Sequence, residues 1–194
     1  MKHPTVYTTP PATGVSAIVR WDEQSSTLTC EVKYPPLASL PEPQNNLSDL
    51  LDARFRIGAP SYVLTAGTLS MLVDQHRRLI GLDFYTNPER WTVRTSELAD
   101  PTDETPRIES EFDAHGHAHD MGAPEVCYEP RDGTLYLSWG TVSHWYGIAS
   151  ALAIGVDEDK RLTQIRLRGA RVSGGAVVGA SADRAAGAEL TNRR

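Results

Sequence analysis

Apolar and polar residues alternate along several short stretches of this chain. The alternation is clearest over residues 134–139 (TLYLSW) and 165–168 (IRLR), where every second side chain would point to one face of a strand. Turn-forming residues stand between such stretches, with PRDG at 130–133 and DEDK at 157–160. Short strands joined by polar turns predict β-hairpins, and we therefore expect a mainly β protein.

Two blocks of sequence recur in the same order. RWDEQSSTLTCEV (20–32) resembles CYEPRDGTLYLSW (127–139) at an offset of 107 residues. LSMLVDQHRRLIGLDF (69–84) resembles LAIGVDEDKRLTQIRL (152–167) at an offset of 83. Repeats of this kind indicate one structural unit used twice. We predict an internal duplication in which two similar antiparallel four-stranded units form a sandwich or a closed barrel.

Asp74 and Asp157 occupy matching positions in these blocks. Each begins a predicted turn, where an aspartate accepts hydrogen bonds from backbone N–H groups two residues further on. We interpret both as turn residues rather than as a pair of catalytic carboxylates.

The repeats divide the chain into regions. The first repeat contains an insertion over 33–67, in which prolines exclude a continuous strand and a leucine stripe after Asn46 predicts one short helix. From the N-terminus the predicted regions are the first β repeat, an acidic histidine-containing linker, the second β repeat and a flexible tail, over 1–94, 95–125, 126–172 and 173–194.

Charge is distributed unevenly. The net charge is −6, and residues 95–132 alone carry eleven acidic and two basic side chains. Nucleic acid is not an expected partner, because phosphate binding needs clustered Lys and Arg. No apolar run approaches the ~20 residues that cross a bilayer, and the N-terminal residues have no secretory pattern. With only Cys30 and Cys127 present, we expect free thiols and a cytoplasmic protein.

The second copy carries a tyrosine, an L-Y-L triplet and a V-D-E-D-x-R-L-x-x-I block. These are Tyr128, Leu135, Tyr136, Leu137, Val156, Asp157, Asp159, Arg161, Leu162 and Ile165. The pattern resembles the small bacterial YuzE-like family of unknown function, and the first copy matches it best in RRLIGLDF (77–84). The resemblance implies a β unit, duplicated in this chain, and no particular chemistry.

A histidine-rich segment, DAHGHAHD (113–120), follows the acidic run. In an extended strand His115, His117 and His119 would point to the same side, and Asp120 could add a carboxylate ligand. The candidate ion is zinc or another transition metal. The alternative is a polar connector with only adventitious affinity for metals, since ligands without supporting hydrogen bonds are poorly oriented.

Aromatic residues are the candidates for a ligand pocket between the two repeats. The predicted set is Tyr85, Trp91, Trp139, His144, Trp145 and Tyr146. We expect a non-catalytic binding or interaction module for an unknown protein or a small apolar ligand, with no organic cofactor. Two alternatives stay open: a small cavity-type enzyme of the isomerase or cyclase class, with His144 as a candidate base, and a metal-binding protein.

Overall fold

A computed structural model describes residues 3–35, 61–93 and 99–172. Within these ranges fourteen strands form three sheets, and the only helical element is a 3-10 turn, Pro88–Arg90. The mainly β prediction is confirmed. The helix predicted after Asn46 and the predicted tail lie outside the described residues.

The first large sheet, the N-terminal sheet, has six strands in the spatial order β2-β3-β6-β5-β4-β9. Neighbouring strands are antiparallel, except that β9 runs parallel to β4. The strands are β2 (Ser16–Asp22), β3 (Thr27–Lys33), β4 (Tyr62–Ala66), β5 (Leu69–Val73), β6 (Leu79–Tyr85) and β9 (His117–Met121).

The second large sheet, the C-terminal sheet, has six strands in the order β12-β13-β14-β11-β10-β7. All neighbours are antiparallel except β7, which runs parallel to β10. The strands are β7 (Thr92–Val93), β10 (Glu125–Glu129), β11 (Thr134–Ser138), β12 (His144–Ala149), β13 (Leu152–Val156) and β14 (Leu162–Leu167).

Each large sheet thus has six strands where four were predicted, and in the described part of the chain neither closes into a barrel. One extra strand of each sheet, β7 or β9, was missed because it pairs in parallel with a segment distant in sequence. Local alternation carries no signal for such pairing.

Five strands follow the same order in both sheets: β2-β3-β6-β5-β4 in one and β10-β11-β14-β13-β12 in the other. The pairing register also agrees. Leu28 lies opposite Phe84 in the N-terminal sheet, and Leu135 lies opposite Leu167 in the C-terminal sheet. These partners differ by the same offsets, 107 and 83, that relate the sequence blocks.

A third, two-stranded sheet joins β1 (Thr5–Thr9) and β8 (Thr105–Glu109) in antiparallel fashion, with Val6 opposite Ile108. The N–H of Val6 donates to the carbonyl of Lys160 in the β13–β14 turn, at 2.8 Å. The N–H of Ile108 donates to the carbonyl of Arg77 in the β5–β6 turn, also at 2.8 Å. Each short strand therefore binds the turn of a different large sheet.

The core is one buried apolar cluster built from both large sheets together with Val6 and Ile108. Its largest fully buried side chains include Leu28, Leu64, Met71, Leu135, Ile154 and Ile165. Alternation in the strands places these side chains inward, where burial of apolar area stabilises the fold. No helix among the described residues is long and apolar enough to cross a membrane.

Candidate functional site

Both halves of the chain contribute to one cleft of about 610 Å³. We call it the inter-sheet cleft. Residues from the end of β6 through β7 form one side, and residues 123–126 at the start of β10 form the other. Phe84 and Trp91, both buried, form its apolar floor, while Tyr85, Arg90 and Glu125 are exposed at its rim. Apolar floors with a few polar groups at the rim are typical of ligand sites.

The floor is held by the 3-10 turn that precedes Trp91. Asn87 caps this turn by accepting the N–H of Glu89 at 3.0 Å, and Pro88 occupies its first position. Trp91 ends the turn in an extended conformation, and its indole N–H donates to the Thr86 hydroxyl at 2.9 Å. The local sequence signal for this turn is N-P-E-R at 87–90, with a capping asparagine followed by proline.

Aromatic contacts fix the indole of Trp91 further. Its ring lies 5.2 Å from the ring of Trp21, in edge-to-face geometry, and 5.6 Å from the ring of Tyr128. Trp21 and Tyr128 are the residues that the offset of 107 relates. Such aromatic pairs add to the stability that area burial gives. The floor is therefore a rigid surface contacted by both halves of the chain.

Tyr85 is the exposed large hydrophobic residue of this site. The residue is 60% exposed, although its backbone is held by two hydrogen bonds to Thr68. The Thr68 hydroxyl donates to the Tyr85 carbonyl at 2.6 Å, and the Tyr85 N–H donates to the Thr68 carbonyl at 3.4 Å. An aromatic ring presented to solvent from a fixed backbone is suited to contact a ligand.

A second cleft of about 480 Å³ adjoins the first, and Ala123 and Glu125 line both. Trp139 lines this second cleft, and its indole N–H donates to the carbonyl of Gly122 at 2.6 Å. The predicted pocket residues Tyr85, Trp91 and Trp139 thus lie on one connected surface.

The other three predicted pocket residues lie on β12, and neither cleft includes them. Trp145 covers the guanidinium of Arg166, which lies 5.1 Å from its ring centre. Arg166 is only 3% exposed and donates to the carbonyl of Ala99 at 3.1 Å. Burial lowers the pKa of Arg166 from its usual value. His144 is exposed and lies beside the ring of Tyr146, with ring centres 5.0 Å apart.

The histidine-rich segment forms a turn and the strand β9. Asp113 caps the turn by accepting the N–H groups of His115 and His117, at 2.8 and 2.9 Å. The N–H of His117, and less strongly that of His115, holds the pKa of Asp113 below its usual 3.8. Gly116 lies in this turn at φ 79°, a conformation that favours glycine.

His117 and His119 point to one side of β9, as the alternation predicts, with ring centres 5.9 Å apart. His119 is already engaged, because its Nδ1 is hydrogen-bonded to the hydroxyl of Thr65 on β4. His115 is exposed in the turn, and the Asp120 side chain is outside the described part. Within the described ranges no group of three or more His, Cys, Asp or Glu residues is placed to hold a metal ion.

No protein-family model matches this chain, and a search of curated proteins gave no match.

Proposed function

We propose that this protein is a non-catalytic binding module that holds a small apolar ligand in the inter-sheet cleft. The observation that carries the proposal is the exposed residue Tyr85, 60% accessible, beside a floor of buried Phe84 and Trp91. A volume of about 610 Å³ lies in the range of small-molecule sites. The rim supplies one cation, Arg90, and one carboxylate, Glu125, to orient a polar end of the ligand.

The lining chemistry favours binding over catalysis. None of the described residues around the inter-sheet cleft is a His, Cys or Ser, and its one carboxylate, Glu125, is exposed at the rim. The hydroxyl of Thr86 is already committed to the indole of Trp91. The isomerase or cyclase alternative is favoured by a closed cavity that contains His144 or a buried carboxylate. Neither of the two clefts includes His144 or the buried Glu129.

We also propose that the two large sheets arose by internal duplication. Four turn residues support this. Ser26 and Gly133, related by the offset of 107, have φ values of 51° and 66°. Arg77 and Lys160, related by the offset of 83, have φ values of 63° and 60°. Non-glycine residues rarely adopt positive φ, so the agreement is hard to obtain from unrelated hairpins. The YuzE-like resemblance stays a prediction.

An apolar fluorescent probe tests the binding proposal. We expect 8-anilinonaphthalene-1-sulfonate to bind the native protein with increased fluorescence, since it combines aromatic rings with an anionic end that Arg90 can pair with. Tyr85→Ala should weaken its binding about tenfold, the usual cost of losing an aromatic contact at a binding site.

Tyr7→Ala is the matched control, because Tyr7 is another exposed tyrosine, 45% accessible, that does not line the cleft. Its variant should bind the probe as the unchanged protein does. Equal binding by all three proteins, or equal loss in both variants, would contradict the cleft as the site.

A further inference from the structure

The inter-sheet cleft carries one positive and one negative side chain, on opposite sides. Arg90 is the last residue of the 3-10 turn and Glu125 is the first residue of β10, and both are exposed. Within the described ranges neither side chain forms an ion pair or a hydrogen bond. A cation and a carboxylate are therefore both available to a ligand of this cleft.

The pairing of β7 with β10 sets these two residues at the same level. In this parallel pair Thr92 lies opposite Cys127. Arg90 stands two residues before Thr92, and Glu125 stands two residues before Cys127. The strand pairing begins only at Thr92, because Arg90 belongs to the 3-10 turn. The pairing thus stops short of the charged residues, and the cleft lies between the two segments that carry them.

The other polar side chains around the cleft are engaged within the protein. The hydroxyl of Thr68 donates to a backbone carbonyl at 2.6 Å, and that of Thr92 donates to another at 3.2 Å. The side-chain oxygen of Asn87 accepts a backbone N–H at 3.0 Å. The hydroxyl of Thr86 accepts the indole N–H of Trp91 at 2.9 Å. Selection of the polar end of a ligand therefore depends chiefly on the two charged side chains.

The remaining lining of the cleft is apolar. Phe84 and Trp91 form the floor, Tyr85 stands at the rim, and Ala123 and Val126 lie on the side of β10. A complementary ligand combines an apolar body with one anionic and one cationic group. Arginine pairs well with a carboxylate, and a carboxylate pairs well with an ammonium group. An α-amino acid with a large apolar side chain has all three features.

We propose that the inter-sheet cleft binds an α-amino acid with a large apolar side chain. Arg90 pairs with the carboxylate of the ligand, Glu125 pairs with its ammonium group, and its side chain packs on Tyr85 and the apolar floor. This inference rests on the proposed function and names the class of ligand. A ligand with a single charged group leaves one of the two charges of the cleft unmatched, so it binds less tightly.

Three compounds with the same phenyl ring test the proposal by calorimetric titration at neutral pH. L-phenylalanine carries both charged groups, 3-phenylpropionate lacks the ammonium group, and phenethylamine lacks the carboxylate. L-phenylalanine should bind about fivefold more tightly than either of the others, because exposed ion pairs contribute at most about this much to binding.

Two variants assign the charged groups. Arg90→Gln should weaken the binding of L-phenylalanine and 3-phenylpropionate about fivefold and should not weaken that of phenethylamine. Glu125→Gln should weaken the binding of L-phenylalanine and phenethylamine and should not weaken that of 3-phenylpropionate. Arg131→Gln and Glu158→Gln are the matched controls, since both residues are exposed and line neither cleft. The controls should bind all three compounds as the unchanged protein does.

Equal affinity for the three compounds would overturn the proposal, as would an equal loss of L-phenylalanine binding in the control variants. The fluorescent probe distinguishes this failure from failure of the proposed function. If 8-anilinonaphthalene-1-sulfonate bound in a Tyr85-dependent manner and L-phenylalanine bound no more tightly than the other two compounds, only the amino-acid ligand would be overturned. If neither the probe nor the phenyl compounds bound, the proposed function would be overturned with it.

Discussion

At the scale of single residues, the two cysteines differ in burial and therefore in the reactivity of their thiols. Cys30 is buried in the core, and burial raises its pKa from 9.0 to about 12, while Cys127 on β10 is partly exposed. We expect Ellman's reagent at pH 8 to label Cys127 in the native protein and Cys30 only after unfolding, because the thiolate is the reacting form. Cys127→Ser should abolish native labelling, and native labelling that survives in this variant would contradict the assignment.

The raised pKa of Cys30 also sets a pH dependence. An unfolded thiol loses its proton near pH 9, whereas the buried thiol keeps it up to about 12. The contribution of Cys30 to stability is therefore complete below the unfolded value and declines as pH rises through this interval. The free energy of unfolding, measured in urea, should therefore be lower at pH 10 than at pH 8. The difference between the two pH values should be smaller in the Cys30→Ala variant.

The two turn aspartates occupy equivalent positions but make unequal contacts. Asp74 accepts the N–H groups of His76 and Arg78, at 2.8 and 2.9 Å, and pairs with the Arg78 side chain at 2.7 Å. Asp157 accepts the N–H of Arg161 at 2.8 Å. We expect Asp74→Ala to lower the free energy of unfolding by about 2 kcal/mol and Asp157→Ala by about 1. Equal losses in urea denaturation would show that the ion pair contributes nothing.

At the scale of elements, the hairpin turns differ at one left-handed position. Ser26 holds φ 51° before β3, where the equivalent position before β11 is Gly133 at φ 66°. Ser26→Gly should stabilise the protein by about 0.5 kcal/mol, because strain at positive φ is relieved. Gly133→Ser should destabilise it by about 1–2 kcal/mol, since a Cβ there lies 3.3 Å from the Ala170 carbonyl oxygen. Thermal unfolding should show a raised melting temperature for Ser26→Gly and a lowered one for Gly133→Ser.

The hairpins could be predicted because each encodes its own turn within a few residues. PRDG and DEDK specify local backbone bends, and the flanking alternation specifies which side chains share a face of the strand. It does not specify burial, because both faces of β11 and β14 are buried, including Arg166. Strands β8 and β9 gave no such signal, since their region is acidic and their partners, β1 and β4, lie more than 50 residues away. Pairing over that distance depends on the assembled sheets rather than on local sequence.

The site was predictable to the same extent. Tyr85 and Trp91 were identified as cleft residues, but Trp145 covers Arg166 instead. An aromatic side chain in a short alternating stretch has the same local pattern in both roles. Whether it lines a cleft or covers a buried side chain depends on which other segment packs against its side of the sheet. That packing is set by the tertiary structure and is not encoded locally.

At the scale of the whole molecule, β1 and β8 couple the two large sheets. Val6 and Ile108 are buried opposite each other, and each donates its N–H to a turn of a different sheet. Losing either sheet would therefore expose part of the core of the other. We expect both sheets to unfold in one cooperative transition, with the amide signals of β3 and β11 lost at the same urea midpoint.

Ile108→Ala tests this coupling directly. Removing a fully buried isoleucine side chain should lower the free energy of unfolding by about 3 kcal/mol and move both midpoints together. Tyr7→Ala, a change at an exposed residue of the neighbouring strand, should shift neither by more than about 0.5 kcal/mol. If Ile108→Ala lowered the midpoint of β3 and left that of β11 in place, the sheets would unfold separately. The β1–β8 pair would then support only the N-terminal sheet, whose turn carbonyl at Arg77 bonds the N–H of residue 108.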